Sequence, residues 1–175
     1  MRFQFAEDQI AFRDSFRSLL AEACPPGVVR AAWEERPSAL WSQIAEMGLL
    51  AVELPEELGG LELSAVDMVL LWEESGYAGL PLPFLEATVV APLLPPDLAE
   101  RVGSGEALVT LGARAWDADI AEAVVVGDQL ATAFTTTPRK SVDGARRLFD
   151  VTVTHSQTIA DPAPRAALAA SAQLL

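Results

Sequence analysis

Residues 47–61 read MGLLAVELPEELGGL, and this stretch decides how the first half of the chain is organised. An apolar helical run ends in Leu54-Pro55, two acids follow, and Gly59-Gly60 precede a new helical pattern that starts at Ser64. Pro55 fixes φ and so sets the direction in which the chain leaves the helix. Gly59 and Gly60 let it reverse, and Ser64, with Asp67 three residues on, supplies the next N-cap. The segment therefore reads as a scaffold turn between two helices. Glu53, Glu56 and Glu57 could form a general-base pair, but acids beside glycines are expected simply to be solvated.

Working outward, Phe12, Phe16, Leu19, Leu20 and Ala23 make one apolar stripe and predict a helix from about Glu7 to Ala23, stopped by CPPG. PSALWSQIAEMGLL predicts a second helix that turns Leu40 and Ile44 inward. The helix after Ser64 is expected to bury Val66, Val69, Leu70 and Tyr77. FLEATVVAPLL predicts a short buried helix, and PPDLAERVGSG one or two further turns.

After Gly105 the character changes. EALVTLGA, AEAVVVGDQLATAF and ARRLFDVTVTHS are rich in Val, Thr and Phe, and AVVVGDQLATAF predicts a hairpin around Gly127-Asp128. APRAALAASAQLL returns to a helical pattern with no C-cap, and reads as the start of a helix cut short. Helices followed by strands define an α+β multidomain fold. The expected division is an all-α helical domain over 1–104, a small antiparallel β-domain over 105–160, and the start of a truncated C-terminal helix over 161–175.

Composition narrows the function. A formal net charge of −13 (25 acidic against 12 basic residues) argues against nucleic-acid binding, which needs clustered cations. Half the 175 residues are hydrophobic, enough for a core. The N-terminus lacks the apolar segment of a signal peptide, no uncharged run is long enough for a membrane span, and a single cysteine, Cys24, excludes an intramolecular disulfide. A cytoplasmic protein is expected.

Catalytic motifs are absent. His155 is the only histidine, which excludes a multi-histidine metal site, and it reads as an exposed sheet residue. There is no Gly-x-Ser-x-Gly elbow and no phosphate-binding glycine fingerprint, since GSG at 103–105 leads into a strand. TTTPRK, residues 135–140, reads as a basic hairpin tip. Of Trp33, Trp41, Trp72 and Trp116, three are expected in the core, and Trp116, in a loop after a strand, is the one expected to face a flat ligand.

FAEDQIAFRDSFRSLLAE, LWSQIAEMGLLAVELPEELGG and LLWEESGYAG together resemble the N-terminal half of the acyl-CoA dehydrogenase family over the first 95 residues. GEALVTLGA is similar to the first strand of that family's middle domain, but Thr110 is followed by Leu-Gly-Ala where the family has Glu-Pro. DADIAEAVVVGDQ resembles a later strand, and APRAALAASAQLL the start of the first C-terminal helix. The resemblance implies a FAD-dependent α,β-dehydrogenation of an acyl-CoA thioester. The base and much of the flavin pocket would lie in the C-terminal bundle, so no catalytic residue is assigned here. Thr110, Gly112 and Trp116 are the positions implied near flavin. The resemblance also implies a truncated or degenerate subunit of a homo- or hetero-oligomer, of the steroid-degrading kind, inactive alone. The alternative is a non-catalytic interaction or acyl-CoA-binding module. A hydrolase or metal enzyme is disfavoured.

Overall fold

The computed structural model describes residues 5–159. Six helices come first: α1 (Glu7–Ala23), α2 (Pro26–Ala31), α3 (Ser38–Glu46), α4 (Ala65–Tyr77), α5 (Phe84–Val90) and α6 (Pro96–Gly103). Five strands follow: β1 (Val109–Leu111), β2 (Arg114–Trp116), β3 (Ala123–Val126), β4 (Gln129–Arg139) and β5 (Leu148–Thr158). The predicted helix over 161–175 lies outside the described residues.

α1 has the predicted bounds and buries Phe16 and Leu20. Gln9 ties its start to α4: its Oε1 accepts the Ala6 N–H at 2.7 Å and its Nε2 donates to Asp67. α2 is not apparent from periodicity, because Pro25-Pro26 reads as a stop. Proline at a first helical turn lacks only an N–H that has no helical partner anyway, so the same pair starts a helix.

In the 47–61 turn, Glu56–Leu58 form one 3-10 turn, and Gly59 takes a left-handed φ of 78°. The Leu61 and Leu63 amides then donate to the Val52 carbonyl, folding the segment back on itself. This return brings Gly60 against the backbone, where an added Cβ would sit 1.9 Å from the Leu54 carbonyl oxygen. Gly60 is thus required by contact, whereas Gly48, at φ 73° with nothing near its Cβ position, is required only by its dihedral.

Ser64 is the N-cap of α4 as expected, with Asp67 as the acid of a capping box. The Asp67 carboxylate accepts from both the Ser64 amide (2.8 Å) and its hydroxyl (2.7 Å). The predicted inward stripe is only partly right. Met68, Leu70, Leu71 and Glu74 are buried, while Val66, Val69 and Tyr77 are exposed. α4 is apolar around most of its circumference, so spacing alone leaves its rotation open. Packing against α1 selects the face, and there Arg17 holds the buried Glu74 carboxylate through two N–H donors.

The sheet order is β1-β3-β4-β5-β2. It is mixed rather than wholly antiparallel, since β1 and β3 run parallel. The physical reason is the crossover between them: β2 leaves β1, pairs antiparallel with β5 at the far edge, and the chain then returns to β3 in the original direction. The predicted hairpin is present, with Val126 paired to Gln129 and Gly127 at φ 62°.

The helical core extends without a break into the sheet. Val109, Leu111, Val125, Leu130 and Ile159 belong to the same cluster as Phe16, Leu50 and Phe84. A smaller second cluster of Ala115, Ala118, Val124 and Phe149 lies on the other side of the sheet. Gly60→Ala is expected to cost about 3 kcal/mol or more, because a clash with backbone has no flexible side chain to absorb it. Gly48→Ala is expected to cost about 1 kcal/mol from the left-handed backbone alone. Urea unfolding of both variants checks the order; equal losses would contradict it.

Candidate functional site at the helix–sheet corner

α5 lies against β1, and it carries an acid in an apolar helix: Glu86 is only 1% exposed. An isolated buried carboxylate is costly, so a cation must reach it. That cation is Arg146, from the loop between β4 and β5, whose Nη2 donates to Glu86 Oε1. The Arg146 guanidinium also lies over the Trp116 ring, 4.6 Å from its centroid. Trp116 is at the end of β2 and pairs with Leu148, and the next amide, Asp117 N–H, donates to the Arg147 carbonyl at 2.7 Å.

A second ion cluster adjoins the first. Arg36, between α2 and α3, donates to Asp117 Oδ1 at 2.8 Å and to Asp119 Oδ1 at 2.5 Å. Asp117 is buried and takes a left-handed φ of 51°. Burial raises the pKa of its carboxyl, and the hydrogen bond and charge of Arg36 oppose that shift. Glu86 Oε2, Asp117 Oδ2, Arg146 Nε and Thr110 Oγ1 are buried without hydrogen-bond partners. The loop itself is clamped onto the helices: Arg147 donates to the Glu34 carbonyl at 2.8 Å, and Gly144 lies so close to Trp33 that a Cβ would stand 2.5 Å from the indole.

The three residues expected near flavin lie on β1, β2 and the turn between them, and differ in burial. Trp116 is half-buried at this corner, on a strand rather than in a loop; pairing with β5 turned the expected loop into β2. Thr110 is fully buried on β1. Its neighbours Val109 and Leu111 enter the helical core, so its side chain points to the opposite face, beside Val124 of the second cluster. Gly112 makes the turn from β1 to β2 at φ 104°, and a Cβ there would approach the Arg114 carbonyl oxygen to 2.9 Å.

Other expectations resolve individually. TTTPRK is not a tip: β4 runs on through Pro138 to Arg139, and Arg139 pairs with Asp150, which also accepts from Arg114. Cross-strand pairing with an acid keeps this segment extended, and the tip moves to 140–147. His155 is exposed on β5 opposite Ala133, as expected. Trp41 is buried, and Trp72 packs on the core with its Nε1 donating to Thr88 Oγ1 at 3.0 Å. Trp33, expected inside, is 59% exposed and instead forms a platform for Gly144. Glu56 and Glu57 are exposed and Glu53 is half-buried, so no carboxylate pair forms. Among the described residues, no group of three or more His, Cys, Asp or Glu side chains could hold a metal. Nor is any described helix long and apolar enough to cross a membrane.

Glu86 and Arg146 escape a motif search. Their one signal is the acid itself, inside FLEATVV, which requires a distant cation that sequence alone does not name.

Helices stacked on a small mixed sheet, with an aromatic residue and paired charges at their junction, define the class of the protein: an α+β fold with its polar corner between the two layers. The family description "Acyl-CoA dehydrogenase, N-terminal domain" matches residues 6–95. The acyl-CoA dehydrogenase IpdE2 of Mycobacterium tuberculosis is 32% identical over 162 residues, which cover 81% of this chain and 50% of that protein. IpdE2 of Mycolicibacterium smegmatis is 29% identical over 177 residues, 89% of this chain and 55% of that protein. The chain belongs to the acyl-CoA dehydrogenase family, and it spans about half the length of the curated relatives it matches. Its fold is that of a variant of the Tcur3481-Tcur3483 steroid ACAD, with a TM-score of 0.82 at 18% identity over 93% of this chain and 59% of that one. It is also that of the ChsE4-ChsE5 complex from Mycobacterium tuberculosis, with a TM-score of 0.79 at 16% identity over 96% and 61%.

Glu53 generates a pH prediction. Burial first, and the Asp67 charge second, push its carboxyl up to about 7, above the ordinary 4.5. The folded state therefore binds a proton more tightly than the unfolded state, and stability falls as pH rises from about 4.5 through 7. Glu53→Gln is expected to melt a few degrees above the parent chain at pH 8 and with it at pH 4.5. Thermal melts across that range check it, and an unchanged pH slope would contradict it.

Proposed function

We propose that this chain is one component of a FAD-dependent acyl-CoA dehydrogenase. The reaction is α,β-dehydrogenation of an acyl-CoA thioester of the steroid-degradation type. The chain is inactive alone and works in an assembly with acyl-CoA dehydrogenase-like chains in the cytoplasm. One observation carries the need for a partner. At the corner, Glu86 and Asp117 are buried and held in ion pairs by Arg146 and Arg36, so neither carboxylate is presented to a substrate, which supports a base from another chain. The names of the fold's likenesses, a steroid ACAD and a two-component complex, support the substrate class and the assembly.

A bound flavin would supply the two-electron acceptor for that reaction. Trp116 suits a flat ring system, because it is only partly buried and is backed on one face by Arg146. Gly112 keeps the turn from β1 into β2 tight, where a Cβ would meet the Arg114 carbonyl oxygen. Thr110 does not fit, since its hydroxyl is sealed on the far side of β1. The chain's own part is thus to build an aromatic wall, to exclude water behind it and to place a positive charge nearby. The division into 1–104, 105–160 and 161–175 belongs to the same proposal, supported by the switch from helix to strand between Gly103 and Val109.

The sealed Thr110 favours one second reading, a non-catalytic interaction or acyl-CoA-binding module. Turnover separates the two from an active single chain. The purified 175-residue chain, given FAD, an acyl-CoA and an artificial electron acceptor, is expected to show no dehydrogenation and to hold flavin only weakly, losing the band from about 350 to 500 nm on gel filtration. A colourless chain that acquires the band and turns over with an acyl-CoA dehydrogenase-like partner supports the component reading. Turnover by the chain alone would overturn it.

A further inference from the structure

We propose that Glu86 and Arg146 are positioning residues for Trp116, fixing the plane of its indole as a wall for the flat ring of a bound ligand; the ligand assignment rests on the flavin reading above. The geometry is unusual for a buried arginine–carboxylate pair. Such pairs commonly join through two parallel N–H···O bonds, which by themselves fix the guanidinium plane. Here one bond joins Arg146 Nη2 to Glu86 Oε1, while Arg146 Nε and Glu86 Oε2 both lack partners. A single bond sets the position of the guanidinium and leaves its plane free to turn. The Trp116 ring, on which the guanidinium rests at 4.6 Å, supplies a further constraint.

The constraint is reciprocal. Backbone pairing with Leu148 and the bond from Asp117 N–H to Arg147 hold Trp116 by its main chain and leave its side-chain torsions to be set by contacts. Arg146 lies on one ring face, and its cation draws that face in through the ring quadrupole. Glu86, 1% exposed in α5, anchors the cation to the helical layer. A lysine at 146 would keep the charge but lose the flat surface that orients the indole. The arrangement therefore predicts that charge alone does not suffice at this position.

The test uses the full chain and needs no turnover. The near-UV circular dichroism of the parent minus that of Trp116→Phe isolates the signal of an ordered indole at this site. Arg146→Lys and Glu86→Gln are expected to remove at least half of that signal, while far-UV spectra show the fold retained. Added FAD is the ligand probe: it is expected to quench the Trp116 fluorescence of the parent, and Arg146→Lys to weaken its apparent Kd roughly fivefold, the cost of ordering one side chain on binding. A full Trp116 signal in Arg146→Lys would overturn the positioning role. Loss of the signal in the variants, with no quenching of the parent by FAD, would uphold the positioning role and overturn the flavin assignment of Trp116. If Glu86→Gln unfolds, the Arg146→Lys comparison decides alone.

Discussion

Everything at the corner depends on how β1 is buried. Three residues long, it is covered on both sides: Val109 and Leu111 enter the helical core under α5, and Thr110 turns the other way, beside the second cluster. Each apolar side chain so buried contributes about 1.5–3 kcal/mol, enough to commit a strand too short to persist on its own pairing. Because β3 pairs with β1 in parallel, the chain must make a crossover between them. That crossover carries β2 to the other edge of the sheet, where Trp116 meets β5 and the 140–147 loop. The corner is a consequence of strand direction before it is a matter of side-chain chemistry.

Charge then fixes what burial brings together. The chain has 25 acidic and 12 basic residues, so cations are scarce, and arginine supplies the contacts between layers. Arg36 reaches from the helices to Asp117 and Asp119, Arg101 from α6 to Glu122, and Arg146 from the sheet loop to Glu86. These pairs are not equivalent. Arg101 and Glu122 are both exposed and contribute little, whereas Glu86 and Asp117 are buried and would be left uncompensated by loss of their partners. Their role is to select one docking of sheet on helices, and the same contacts orient the Trp116 indole.

Local signals in the sequence were strong enough to read most elements. The spacing from Phe12 to Ala23, the Ser64–Asp67 cap and the Gly127-Asp128 turn act within a few residues, and each appears where its chemistry places it. What could not be read there is set by distant partners. The rotation of α4 depends on Arg17 and α1, the parallel sense of β1 and β3 on the route of β2, and the exposure of Trp33 on a loop more than 100 residues away. The candidate site divides in the same way. Trp116 stood out as an aromatic but was read in a loop after a strand, burial of Thr110 follows from the sheet's second face, and Glu86 with Arg146 follows from a contact across 60 residues of chain.

A core shared by helices and sheet requires the two to open together. Native-state amide hydrogen exchange tests it most directly, since it reports the opening free energy of each element separately. The protected amides of β1 and β3 are expected to exchange with the same free energy as those around Phe16 and Leu20 in α1, and to respond to urea with the same slope. Strand amides that exchange through a separate opening, several kcal/mol below that of α1, would contradict it.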